Sequence, residues 1–574
     1  MTDLFIDGKQ VVLPKGMDLK VKQQNPLITK NGTFTLDLSL SLKERNNSIL
    51  YKHIERLQSA AVIEGRSAVL ISNGHVILNG TEAFISNTNE EVKIQLLSGN
   101  SELNYFIGAD SYISSLDLGK ETDISSERFN QVIRKRFPEV AFACPMVKIG
   151  SKIYNDHREM SMDVILNKPY NFSNLAIQPY LLAMIEKILS ALGYVIEYNE
   201  ARNDDFLSRI FILNNDQTGE YNKILPGWKV KEFLEECEKL MNIVFIINDA
   251  NRSVRILCAS SKAETGTYTI ENVLDTFERT TVDDDPRISY KNVCYDLPSS
   301  KDYKYQNIDE SVLEKAIINE SKTYTDLVKK LTNSKDEVLP DDIFDQYYNS
   351  NTLFYVTETD TYYVLDKYLY KWLNSPTGAS VYIKNLLKVN TFRKYTSNPD
   401  DDYLKLSFFP CLYISRPNDS MYVVTQRMPY LPGADDTEEE EAKNIRQLIE
   451  NGVSDFNANK KPVSLCTFHP SDLGYYFTLT DNVADNDNTT SWYQKSHGTF
   501  RLVGPEGLVK RYYQPSQQIS ATKEYTIKFI INTMPNIQSQ FLLNNKLFIC
   551  KELEYRITND GIHPEVTGIF YEVK

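Results

Sequence analysis

The chain has 574 residues, 63 of them Lys or Arg and 77 Asp or Glu, for a net charge of −14; 41 % are hydrophobic and 24 % charged. That length predicts about three to five domains of roughly 100 to 200 residues each, and the composition is that of folded rather than disordered protein. The acidic balance has the wrong sign for gripping phosphate backbones, so stable nucleic-acid binding is not expected, and no run of 18 apolar residues exists to carry a helix across a membrane.

Residues 1 to about 115 read as almost wholly β. In "FTLDLSLSL" Phe34, Leu36, Leu38, Leu40 and Leu42 alternate with Thr35, Asp37, Ser39 and Ser41, which predicts one strand with five apolar side chains on a single buried face. Such a face is worth on the order of 10 kcal/mol, enough to hold its register. Asn31-Gly32 supplies a turn before it. Asn73-Gly74 in "SAVLISNGHVILNG" predicts a hairpin, Asn79-Gly80 follows, and "EVKIQLLS" adds another alternating strand. The one helix expected here is "NNSILYKHIERLQSA", from about Asn47.

Between residues 170 and 260 the period changes. "QPYLLAMIEKILSALGYVIEYN" places Pro179 in a first helical turn, Leu182, Ile185, Leu189 and Leu192 on one stripe, and Gly193 at the stop, with a strand at Tyr194 to Tyr198. "WKVKEFLEECEKLMNIVFIINDANRSVRIL" repeats the arrangement: a helix with Val230, Phe233, Leu234, Cys237 and Leu240 inward, then strands at Ile243 to Ile247 and Val254 to Leu257. A helix followed by a hairpin can cover one face of that ribbon.

Further on, "DESVLEKAIINE" reads as helix and "TLFYVTETDTYYVLD" as a hairpin turning around Glu358 to Thr361. The acidic runs Asp400 to Asp402 and Asp435 to Glu441 mark exposed loops. "FRLVGPEGLVKRYYQPSQQ" carries turn residues Gly504, Pro505 and Gly507 and then a basic aromatic patch, Lys510 to Tyr513. Strands follow in "EYTIKFIIN", "KLFICKELEYRI" and "PEVTGIFYEV", the last two as a hairpin turning at Asn559-Asp560-Gly561.

Chemistry is sparse. Cys144, Cys237, Cys258, Cys294, Cys411, Cys466 and Cys550 stand singly and read as small buried hydrophobes of a reducing compartment. His53, His75, His157, His469, His497 and His563 fall at no zinc-ligand spacing, and nucleophile elbows and phosphate-binding glycine loops are missing. Asp156, His157, Glu159 and Asp163 in "NDHREMSMD" form the one mixed cluster that could hold a metal, and a charged polar loop is the commoner meaning of such a pattern. No catalytic, cofactor-binding or metal residue is assigned, and no cofactor is expected. The acidic start "MTDLFIDGKQVVLP" has no apolar core of a secretion signal.

Three stretches carry a family resemblance: "FTLDLSLSLKERNNSILYKHIERLQ" with "VILNGTEAFIS" and "EVKIQLLSGNSEL"; "KVKEFLEECEKLMNIVFIINDANRSVRIL"; and "RLVGPEGLVKRYYQPSQQ" with "KLFICKELEYRI". Their order resembles the tail hub (baseplate hub) proteins of bacteriophages and prophages, relatives of contractile-tail hubs and of type VI secretion spike proteins. The likeness spans about a third of the chain and rests on strand and helix patterns, so it brings no active site. It implies an α+β, mainly β, multidomain fold with two hub-type β-barrel domains plus helix-hairpin units, often with one barrel threaded through another. The corresponding division is 1–115 (first barrel), 116–290 (α+β middle domain with a second barrel-like sheet), 291–430 (Tyr-rich α+β insertion or third domain) and 431–574 (C-terminal β-rich domain), with discontinuous domains allowed.

The resemblance further implies a non-enzymatic virion protein, made in the bacterial host cytoplasm and placed at the tail tip or baseplate. There a homotrimer would join the sixfold tail tube to a threefold spike or fibre and let DNA pass during ejection. Its partners would be the tail tube or distal tail protein and the spike or fibre protein, with the tape-measure protein as a further candidate. Acidic side chains facing a lumen would repel the passing DNA. The rival reading is a phage-associated glycan-binding or glycan-cleaving protein. It lacks clustered Trp, since Trp228, Trp372 and Trp492 are far apart, and no fixed-period repeat is evident.

Overall fold

The computed structural model describes the chain except residues 31, 60–64, 103–110, 123–127, 129–130, 133–134, 146, 150–151, 156–175, 215–218, 249–250, 260–265, 275–276, 282–286, 297–315, 333–340, 349, 351, 359–360, 372–379, 390–393, 416–426, 432–459, 470–478, 482–499, 505–506, 515–518 and 574. The fold is α+β and mainly β, as expected.

The two ends of the chain share one sheet. Its N-terminal strands are β1 (Thr2–Ile6), β2 (Lys9–Val11), β3 (Asp18–Gln24), β4 (Thr33–Thr35), β5 (Leu38–Ser41), β6 (Arg66–Ser72), β7 (His75–Asn87) and β8 (Glu91–Ser98). β3 pairs antiparallel with the C-terminal strand Lys546–Thr558, from Asp18 against Thr558 to Gln24 against Glu552. A 14-stranded sheet results, ordered Glu278–Thr281, Ile519–Ile530, Gly561–Val573, Lys546–Thr558, β3, β4, β8, β7, β6, β1, β2, with β5 added to β8 and Gln540–Leu543 bridging Lys546–Thr558 to Thr267–Thr269. In its larger core Leu40, Leu70 and Ile94 from the start of the chain meet Leu553, Val566 and Phe570 from its end.

Turn chemistry behaves as the sequence indicates at two hairpins. Asn73 (φ 52°) and Gly74 (φ 78°) are both left-handed and link β6 to β7 as a two-residue turn, with Ser72 opposite His75. The C-terminal hairpin turns between Thr558 and Gly561. Asn79-Gly80, by contrast, lies inside β7; a Cβ on Gly80 would sit 2.1 Å from the Leu97 carbonyl oxygen. Glycine is required there by close approach of β8 rather than by a turn.

The strand predicted over Phe34 to Leu42 is broken. β4 pairs Phe34 with Leu97, whereas β5 pairs Leu38 with Ile94, so four residues advance on one strand against three on the other. This one-residue bulge reverses the facing of the chain. Leu38, Leu40 and Leu42 are buried, but before the bulge Thr33 and Thr35 point inward while Leu36 is 36 % exposed. Thr35 Oγ1 accepts from the Leu96 backbone N–H at 3.0 Å, so a polar atom takes an inward contact that alternation assigned to leucine, while Asp37 stays exposed and accepts from Gln95 Nε2 at 3.0 Å. The helix expected from Asn47 shrinks to Arg45–Leu50, because Lys52 (φ 50°) and His53 (φ 57°) turn left-handed just after it.

A second core is built around the helices Leu181–Ala191 and Val230–Met241. Leu182, Ile185 and Leu189 are buried and Leu192 is half-buried; Pro179 lies in the short strand Gln178–Pro179 just before the first helix, and Gly193 (φ 85°) ends it. All five predicted apolar positions of the second helix are buried, and Asn242 (φ 49°) stops it. Strands Val195–Asn199, Ser253–Cys258 and Ile243–Asn248 form a three-stranded sheet in that order. Phe245 and Ile256 face the helices, whereas Val244, Ile246 and Leu257 pack on Leu27 of the short helix Pro26–Thr29 beside β3. Asn100 locks this joint: its Nδ2 donates to the Phe245 carbonyl at 2.5 Å and its Oδ1 accepts from Ile247 N–H at 3.2 Å.

Two further expectations change. The end of "DESVLEKAIINE" is the strand Ile317–Ser321, with residues 309–315 outside the described ones; parallel pairing with Thr352–Val356 prevails over its helical spacing. The patch Lys510 to Tyr513 is divided: Lys510 is exposed, whereas the turn Val509–Tyr513 buries Tyr512 and Tyr513, and Tyr513 stacks on Tyr290 at 3.9 Å and 14°. The hairpin of Thr352–Val356 with Thr361–Lys371 forms as expected. The run Asp435 to Glu441 lies outside the described residues.

Candidate functional site

Asp156, His157, Glu159 and Asp163 lie outside the described residues, as does His497. Among the described residues no three His, Cys, Asp or Glu side chains gather as a metal would need. None of the seven cysteines forms a disulfide; Cys258 and Cys294 are half-buried and the rest buried, and burial pushes the Cys258 thiol up to about 12. That is the inert, structural condition of a thiol. Trp228 is buried with Nε1 donating to the Lys461 carbonyl at 2.7 Å, so its ring is no open platform; Trp372 and Trp492 lie outside the described residues. No helix among the described residues is long and apolar enough to span a membrane.

Three polar constellations appear that sequence spacing did not reveal. Ser48, His53 and Glu55 have the composition of a hydrolytic triad. Ser48 Oγ lies 2.8 Å and Glu55 Oε1 3.1 Å from the same ring nitrogen, Nδ1, and Ser48 Oγ also donates to Glu55 at 2.7 Å. A triad needs the hydroxyl on one ring nitrogen and the carboxylate on the other, so this cluster braces a turn and has no route for proton transfer.

The second constellation is buried in the large sheet. Glu82 shares the inward face of β7 with Leu78 and Gly80, and it accepts from Tyr51 hydroxyl (2.5 Å) and Arg66 Nε (2.7 Å). The Arg66 guanidinium lies 4.5 Å over the Tyr51 ring and donates to the Leu50 carbonyl at 2.9 Å. Burial pushes the Glu82 carboxyl up against the pull of Tyr51 and Arg66. The available signal was a charged residue at an apolar parity position; its partners, 31 and 16 residues away, carried none.

The third is a groove of about 550 Å³ beside the helix Leu181–Ala191, with Phe137, Val140 and Ala183 on its floor. Lys187 Nζ donates to the Leu118 carbonyl at 3.2 Å and sits 4.0 Å from the Tyr221 ring centroid, and burial lowers its pKa. Tyr221 in turn donates to Glu121 Oε1 at 2.9 Å, while Glu186 is gripped by Arg202 and Asn199. Each of these polar groups has a partner, and among the described residues the groove holds no nucleophile paired with a base.

What the fold offers to other molecules is sheet edges. The strand Glu278–Thr281 ends the large sheet with all four residues exposed beside Phe277, 56 % exposed, and Val195–Asn199 ends the three-stranded sheet with Val195 65 % exposed. Edge strands present unpaired N–H and C=O groups to which another strand can add.

No family model matches the sequence, and no curated protein is similar to it at a significant level. Among solved structures, the chain is similar to the 43 kDa tail protein of prophage MuSo2 from Shewanella oneidensis, at 7 % identity over 99 % of this chain and 97 % of that one, with a TM-score of 0.31. It is also similar to the tail protein from Neisseria meningitidis MC58, at 8 % identity over 100 % and 96 % of the two chains, with a TM-score of 0.29. These two structures are both described as tail proteins.

Proposed function

We propose that this chain is a structural, non-enzymatic component of a phage or prophage tail, acting at the tail tip or baseplate as a trimeric hub. In this reading it joins the sixfold tail tube to a threefold spike or fibre and lets DNA pass during ejection. Its contacts are a second and third copy of itself, the tail tube or distal tail protein, and the spike or fibre protein. The observation that carries the reading is the pairing of the chain's two end regions: residues 18–24 pair with 552–558, so one β-body is built from both, with the middle of the sequence inserted between them. The resemblance to hubs allows discontinuous domains, and this pairing supports the reading. The exposed edge strands supply places for neighbouring copies to add, and the net charge of −14 keeps DNA from adhering.

Light scattering coupled to size exclusion, over a range of concentrations, tests it. A hub gives a particle of three 66.1 kDa subunits. A persistent monomer that also cleaves a surface glycan would replace this reading with the glycan-active one.

A further inference from the structure

The strands Asn292–Tyr295 and Tyr395–Thr396, which flank the intervening segment, both pack on the second core through Val293, Tyr295 and Tyr395. Those two strands pair antiparallel, Asn292 against Thr396 and Val293 against Tyr395. Asn292, 1 % exposed, ties the neck together: its Nδ2 donates to the Asn398 and Asp401 carbonyls at 2.5 Å each, and its Oδ1 accepts from the Ser397 and Asn398 N–H groups at 3.1 and 3.2 Å. Lys291 and Asp401 close an ion pair at 3.0 Å across the same point.

Beyond this neck, strands Ile317–Ser321, Thr352–Val356, Thr361–Lys371 and Ser380–Val389 form a sheet of their own in sequence order, which shares no strand with any other. The helices Tyr324–Thr332 and Asp341–Tyr348 supply Leu327, Leu331 and Phe344, which pack on Phe354, Val356 and Tyr363 of that sheet. This core is separate from the two larger ones. A unit with its own core, entered and left through adjacent strands, is the form that a domain inserted into another domain takes.

We propose that residues 316–389 are an inserted accessory domain, joined to the body at the Asn292 neck, that opens and closes its own core without disturbing the body. The physical basis is that unfolding this unit exposes only its own core, while the neck stays paired.

Amide hydrogen exchange of the full-length chain, resolved by peptide, tests this with two variants. Phe344→Ala opens a cavity in the small core and Phe233→Ala one in the body. In Phe344→Ala the strand Thr352–Val356 and the helix Tyr324–Thr332 exchange about tenfold faster or more, while Val230–Met241 keeps its wild-type rate; Phe233→Ala gives the reverse. Leu331→Ala repeats the first pattern with a smaller void. Acceleration of both regions by either variant, or no acceleration of Thr352–Val356 in Phe344→Ala, overturns the proposal. The hub reading is tested separately, because particle mass does not enter these rates.

Discussion

Replacing Arg66 with Met leaves the Glu82 carboxylate without its cation inside the large sheet. Glu82 side chain is 0 % and Arg66 13 % exposed, with Arg66 Nη2 2.7 Å from Oε2. Removing one partner of such a pair costs about 3–5 kcal/mol, because the remaining charge keeps its desolvation penalty without compensation. The lower figure is roughly two decades in the unfolding equilibrium. Met keeps much of the apolar stem over the Tyr51 ring, so the loss reports mainly charge. The pH dependence separates the two contributions. Burial raises the Glu82 pKa in the folded state, so that carboxyl favours folding below its unfolded value and loses this contribution as pH rises through the folded value. Without Arg66 the folded value climbs further, and the deficit of Arg66→Met relative to wild type is largest at neutral pH and shrinks toward the ordinary glutamate range. Thermal or urea unfolding followed from pH 7 to pH 4.5 reads this directly, and the double variant Arg66→Met/Glu82→Leu recovers most of the loss. A deficit that stays constant with pH, or that the double variant does not relieve, refutes the reasoning and makes Arg66 a packing residue.

Thr35→Val removes the acceptor of the buried Leu96 N–H at the bulge; a loss of about 1–3 kcal/mol is expected, with faster exchange of that one amide as the local readout. Gly80→Ala forces a methyl to within 2.1 Å of the Leu97 carbonyl oxygen, so β7 and β8 separate and soluble yield falls sharply, whereas Gly74→Ala, which meets nothing within 4 Å, costs only about 1 kcal/mol through its left-handed φ. Burial would raise the Asp205 carboxyl, but hydrogen bonds from Arg209 (2.7 Å) and Arg136 (2.5 Å) outweigh it and bring it down to about 2. Its stabilisation is present above the unfolded aspartate value and is lost as pH falls toward 2, so Asp205→Asn flattens the acid limb of an unfolding curve between about pH 4 and 2.

Local chemistry set the elements whose signals are local. Asn73-Gly74 specifies its hairpin because two left-handed residues in succession suit those side chains, and Val230, Phe233, Leu234, Cys237 and Leu240 specify a helix because their spacing puts them on one stripe. The mainly β class and the helix-then-hairpin unit of Val230–Met241 with Ile243–Asn248 and Ser253–Cys258 were likewise legible in the sequence. The alternation from Phe34 to Leu42 misled because period two states only that side chains alternate; the bulge that puts Thr35 inside and Leu36 outside depends on where β8 lies. The same holds for "AIINE", whose strand exists through its pairing with Thr352–Val356. Above all, the sequence determined most of the local elements, and only the tertiary structure decided that β3 joins a strand more than 500 residues away, that Glu82 meets Arg66 and Tyr51, and that Leu327, Leu331 and Phe344 share a core of their own with Phe354 and Tyr363. Strand partners and buried charge pairs are chosen by the burial of whole faces, a property of the assembled chain that no window of residues contains.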